Sequence, residues 1–173
     1  MPKRSRDGEV VASAAVKVAK QFWLMKSEPD VFSLADLKKK NVEKWDGVRN
    51  YQARNNMRAM KVGDSVLFYH SNAKPSGIVG TATIAREAYP DYTAWEKGAK
   101  YFDARSTKDK PVWDMVDVQY ESTFPRTISL EECKSDSKLS NMDLVKFGRL
   151  SVQKVTETEF RYVVDVLSKK KSS

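Results

Sequence analysis

An α+β fold is predicted, a small, mostly antiparallel β-barrel with helices packed outside. Three observations lead there. Five or six short runs are β-branched, aromatic or alternating, as strands are. Helical runs with capping signals are inserted between them at irregular intervals, not after every strand. A length of 173 residues suffices for one core, so a single domain is expected.

Phe22-Trp23-Leu24-Met25-Lys26 opens as a strand that Ser27-Glu28-Pro29 ends. Ser33 and Asp36 have capping-box spacing, which starts a short helix running to Lys40. Val42 to Trp45 reads as a brief strand, and Asp46-Gly47 as a turn. From Asn50, Ala53, Met57 and Met60 form one apolar helical stripe, with Arg54, Arg58 and Lys61 beside it. Ser65 to His70 is apolar on both faces and is expected to be central in its sheet, with Ile78 to Ala85 as its partner. Residues 88–111 read as a polar and aromatic excursion with one helical turn. Trp113 to Tyr120 alternates like a half-exposed strand. A turn of helix is expected at Ile128 to Cys133, a polar loop at 134–141, and a last strand around Leu150 and Val152. Thr156 and Glu159 form a second capping box, before Phe160, Val163, Val164 and Leu167 at helical spacing.

Residues 1–20 read as a disordered basic lead, 21–168 as the folded unit and 169–173 as a basic tail. Net charge is +8, but much of it sits in the two ends. A basic balance suggests an acidic partner, and that footprint must be local on the folded body. Pro2-Lys3-Arg4-Ser5-Arg6 is compatible with nuclear import. No run approaches the roughly 18 apolar residues of a membrane span, so no membrane partner is expected. The lead has no apolar signal core, which argues against secretion.

Cys133 and His70 are the only residues of their types. An internal disulfide and the usual Cys/His zinc site are therefore excluded. Nucleotide-loop, nucleophile-elbow and zinc-protease spacings are absent. No catalytic residue, metal or cofactor is expected. Trp45 beside Arg49, Arg54 and Arg58 is equipment for a planar base and its phosphate. A core indole and a solvated arginine row produce the same letters, so both readings stand at this point.

Three blocks go further: Trp23-Leu24-Met25-Lys26-Ser27-Glu28-Pro29, Trp45 to Asn55, and Phe68-Tyr69-His70-Ser71-Asn72. They resemble the signature blocks of the EVE domain, in particular the eukaryotic thymocyte nuclear protein family. Gly77-Ile78-Val79-Gly80, Ala88-Tyr89-Pro90-Asp91 and Val112 to Val118 continue the likeness, which covers about residues 22–167. The resemblance implies a PUA-like fold, related to YTH, ASCH and SRA-type domains, which bind nucleic acids and often take one modified base into a pocket. It also implies a nuclear, non-enzymatic protein. By the same resemblance Trp45 is a pocket wall, Lys26, Ser27, Ser71 and Asn72 are polar pocket groups, and Trp113 lies near a second wall. Arg49, Arg54 and Arg58 would hold phosphates.

The reading that follows is a reader of modified cytosine, of 5-methyl or 5-hydroxymethyl type, in DNA ahead of RNA. A YTH-like reader of modified RNA, a nuclear scaffold contacting other nuclear proteins, and a nucleic-acid hydrolase stay open as alternatives.

Overall fold

The computed structural model describes residues 19–172. The expected basic lead lies almost wholly outside the described residues. The chain runs β1 (Phe22–Ser27), α1 (Leu34–Lys40), β2 (Val42–Lys44), α2 (Tyr51–Ala59), β3 (Ser65–His70), β4 (Gly77–Pro90), β5 (Asp114–Ser129), α3 (Leu130–Ser135), α4 (Asp143–Lys146), β6 (Val152–Val155) and α5 (Glu157–Asp165). One sheet holds all six strands in the order β2-β5-β4-β3-β1-β6. The β1–β3 ladder is parallel and the others are antiparallel.

The α+β class and the antiparallel bias are as expected, but the sheet does not close into a barrel. The ladder stops at β2 on one side and β6 on the other. On the β6 side, α2 covers the end of the sheet: the buried Asn56 side chain donates to the Val152 carbonyl at 2.8 Å. A carbonyl satisfied in this way is not left for a closing strand.

β3 is central, and its five buried residues reflect helices on both faces of the sheet. Trp23, Met25, Val66 and Phe68 pack with Leu34 and Leu37 of α1 and Ala53 and Met57 of α2. Their neighbours Phe22, Leu24, Leu67 and Tyr69 point the other way, toward Cys133, Leu144, Phe160 and Val163 of α3, α4 and α5. Both capping boxes form, at Ser33 with Asp36 and at Thr156 with Glu159.

Four elements differ from expectation. β4 and β5 run well past the segments that alternate, and they pair with several register shifts. Each bulge resets the alternation, so the sequence pattern fades while the ladder continues. Gly80 belongs to this stretch: a Cβ there would stand 2.2 Å from the Ser122 carbonyl oxygen. The four-residue α4 is too short for its period to show. Helix α5 ends at Asp165, so Leu167 packs from a following 3-10 turn.

Candidate nucleic-acid interface

The one parallel strand pair of the sheet decides where the site lies. Parallel strands release their carboxyl ends on the same side, which leaves a crevice there. Lys26 stands opposite Tyr69 and Ser27 opposite His70. The Ser71 N–H then donates to the Ser27 carbonyl at 3.0 Å, so the two chain exits stay together. Beside them the chain leaves β2: the Trp45 N–H donates to the Val116 carbonyl at 2.7 Å, and Asp46-Gly47 turns the backbone with Gly47 at φ 80°.

The turn is pinned by Asp91, which is fully buried. Its Oδ2 accepts from the Gly47 N–H at 2.9 Å and from Arg49 at 2.8 Å, while Oδ1 takes both the backbone and hydroxyl of Thr93. Burial pushes the Asp91 carboxyl up, but the bonds from Thr93, Arg49 and Gly47 outweigh it and hold the group below the usual carboxylate range. Arg49 also donates to the Tyr101 carbonyl at 2.8 Å. Asn50 then caps α2 by accepting from the Ala53 N–H at 2.9 Å.

These elements enclose a half-open cavity of about 560 Å³, within the range of small-ligand sites. Lys26, Ser27, Trp45, Arg49 and Ser71 line it, together with Phe32, Asp46, Tyr101 and Arg149. Trp45 is 8% exposed, with its ring edge-on to Phe68 at 5.4 Å and to Phe32 at 6.4 Å. It is both a core residue and a wall. The Lys26 ammonium reaches the Gly148 carbonyl at 2.9 Å and lies 5.4 Å from the centre of the Tyr69 ring. Burial lowers its pKa. The Ser27 hydroxyl donates to the Phe32 carbonyl at 2.6 Å, which leaves its lone pairs as acceptors for a ligand.

Four of the sequence-derived candidates lie outside the cavity lining. Asn72 adopts a left-handed conformation, and its amide donates at 2.8 Å to Glu28, which itself lines the cavity. Trp113 is 1% exposed, donates its indole N–H to Asp103 at 2.8 Å, and is stacked by Tyr51 at 4.8 Å. The chain's own tyrosine thus covers the face on which a base would lie. Arg54 donates to the Val112 carbonyl at 2.9 Å and sits 4.9 Å over the Tyr51 ring. Arg58 is ion-paired with Asp114.

Sequence reasoning missed Phe32, Tyr101, Asp46 and Arg149 as cavity residues. Asp46 lay inside the quoted motif and Tyr101 in a segment noted as aromatic. Arg149 carried no signal, because only the fold brings it beside β1.

Cys133 and His70 do not form a nucleophile pair. Burial pushes the Cys133 thiol up to about 12, in the core under α3. The His70 Nε2 accepts from the Leu34 N–H at 3.1 Å, and burial lowers its pKa.

The fold and this cleft define a class: a compact α+β module with one aromatic-walled, partly cationic cavity at the carboxyl ends of a parallel strand pair. The EVE domain model matches residues 21–166, and the chain belongs to the EVE domain family. It is 44% identical over 176 residues to thymocyte nuclear protein 1 of Homo sapiens, covering 91% of this chain and 78% of that one. Human THYN1 in complex with 5-methylcytosine-containing DNA superposes with a TM-score of 0.84 at 45% identity, covering 88% of this chain and 100% of that one. A hypothetical protein from Leishmania major gives 0.84 at 48% identity, covering 87% and 96%.

Proposed function

We propose that this protein is a non-enzymatic, nuclear reader of modified cytosine in DNA, taking one flipped base into the cavity beside Trp45. The observation that carries the reading is that cavity, walled by an indole and rimmed by Lys26, Lys44, Arg49 and Arg149. The human relative whose structure holds 5-methylcytosine-containing DNA supports the choice of nucleic acid and modification. Nuclear residence is supported by the relative's name and by the basic cluster at residues 2–6.

Magnitudes define the task. Extracting a base from its stack costs a few kcal/mol. Stacking on an aromatic ring returns about 1–3 kcal/mol. Because Trp45 shows only its cavity border, a return near 1 kcal/mol is expected. A buried methyl adds only about 0.8 kcal/mol, near fourfold in affinity. Polar contacts from Lys26, Ser27 and Ser71 must therefore supply the rest, and the cations at the rim grip phosphates without reading sequence.

The test is binding to matched oligonucleotides that differ only in the cytosine modification, in DNA and in RNA. The wild type is expected to prefer modified DNA. Trp45→Leu, which fills the core without a ring, should lose about fivefold in affinity for it while melting as a folded protein. Equal binding to modified and unmodified strands by the wild type would end the proposal.

A further inference from the structure

5-Methylcytosine and thymine carry the same methyl group and differ at the base-pairing edge. Cytosine offers an amine at N4 and an acceptor at N3; thymine offers an acceptor at O4 and a donor at N3. A cavity that senses only the methyl accepts both, so the amine must meet an acceptor.

Three acidic residues line the cavity: Glu28, Glu43 and Asp46. Glu43 is committed to Lys40 and to the Lys44 N–H. Glu28 holds Asn72 through one of its carboxylate oxygens, which leaves it without two free oxygens for a base edge. Among the described residues the carboxylate of Asp46 bonds only to its own backbone N–H, on an exposed side chain next to Trp45. Its position is held from behind, since Gly47 and Arg49 are tied to buried Asp91.

Resting on the reading of this cavity as a base site, we propose that Asp46 selects cytosine over thymine by accepting a hydrogen bond from the N4 amine through one carboxylate oxygen, while the other shares a proton with N3. The proton comes from solvent, so binding takes up one proton and no covalent bond changes. Facing thymine, the ionised carboxylate accepts from N3–H, but its second oxygen opposes O4. The charges around Asp46 favour this role. Partial burial and then the carboxylate of Asp91 raise its pKa, Glu43 adds to the rise, and Lys44 opposes it. Lys26, Glu28, Arg49, Tyr101 and Arg149 share the lining of the cavity with it. The shared proton is thereby available nearer neutral pH than at an ordinary aspartate.

The experiment measures binding of single-stranded DNA oligonucleotides identical except for a central 5-methylcytosine or thymine, at pH 6 and pH 8. Single strands remove differences in base pairing. The wild type should prefer 5-methylcytosine by about 5- to 150-fold, the range for a two-bond base contact. That preference should grow at the lower pH. Asp46→Asn presents both an acceptor and a donor and can rotate to suit either base. It should keep 5-methylcytosine binding, gain thymine binding and lose the pH slope. Asp46→Ala should lose the preference. If the wild type shows a Trp45-dependent preference that both Asp46 variants retain, the role of Asp46 is overturned and the base site stands. If the wild type distinguishes no base and Trp45→Leu binds like it, both fall.

Discussion

Two places in the molecule set a tryptophan beside arginines, and they are packed in opposite ways. At Trp113 the chain completes the arrangement itself. Tyr51 stacks on the indole, Arg54 lies over Tyr51, and Asp103 takes the indole N–H. At Trp45 the neighbours Phe32 and Phe68 approach edge-on, and the cleft left between β1, β3 and the 45–49 turn borders the ring. An aromatic residue near guanidinium groups is therefore not yet a binding site. To be one it needs room left beside the ring, and it is structural where the protein supplies its own stacking partner.

The contrast is broken hardest by truncating the closed region. Trp113→Ala empties a fully packed volume and takes the indole donor from Asp103, which keeps its Arg105 partner, so about 3–5 kcal/mol of stability should be lost. This should appear as a lower denaturant midpoint. Oligonucleotide affinity, measured where the variant is still folded, should change little. A selective loss of modified-base binding with normal stability would assign Trp113 to the site after all.

Gly47→Ala probes the open region. The position has φ 80°, and a Cβ would stand 2.5 Å from the Tyr101 ring. The left-handed backbone should cost about 1–2 kcal/mol. The displaced ring should reshape the cavity, so affinity falls by more than stability alone explains. A variant that binds and melts like the wild type would show that the turn is not under this constraint.

The smallest effect is expected at His70, whose ring is 5.7 Å from that of Phe68, the residue packed against Trp45. Burial lowers its pKa below that of an unfolded histidine, about 6.5. As pH falls through that value the unfolded chain takes up a proton that the folded one does not. Stability should therefore be full above pH 7 and decline on acidification below about 6.5. His70 is the only histidine, so its NMR titration is unambiguous. His70→Gln, which can still accept from Leu34, should flatten the stability curve in this window. A titration midpoint above 6.5 would reverse the sign.

Much of the frame was legible because its signals are local. The Ser33 and Thr156 capping boxes, the apolar stripe of Ala53, Met57 and Met60, and the two-sided run of β3 each depend on residues within a few positions. The long ends of β4 and β5 were hidden because bulges interrupt their alternation. Within the site, Trp45, Lys26, Ser27, Ser71 and Arg49 were named from family motifs and do meet at one cavity. Asn72 and Trp113 belong to the same motifs but are not part of the lining: Asn72 bonds to Glu28 of the cavity, and Trp113 is buried under Tyr51.

What the amino-acid order settled by itself is most of the helices, the cores of the strands, the α+β class and the family, since short-range periodicity, caps and long matching blocks survive without coordinates. The open sheet, the parallel pairing of β1 with β3, and the face each tryptophan shows to solvent were decided only in three dimensions. Each depends on partners far apart along the chain: Asn56 with Val152, Tyr51 with Trp113, Asp91 with Gly47 and Arg49. No local pattern encodes such a pairing, because its energy exists only once the chain has brought both groups together.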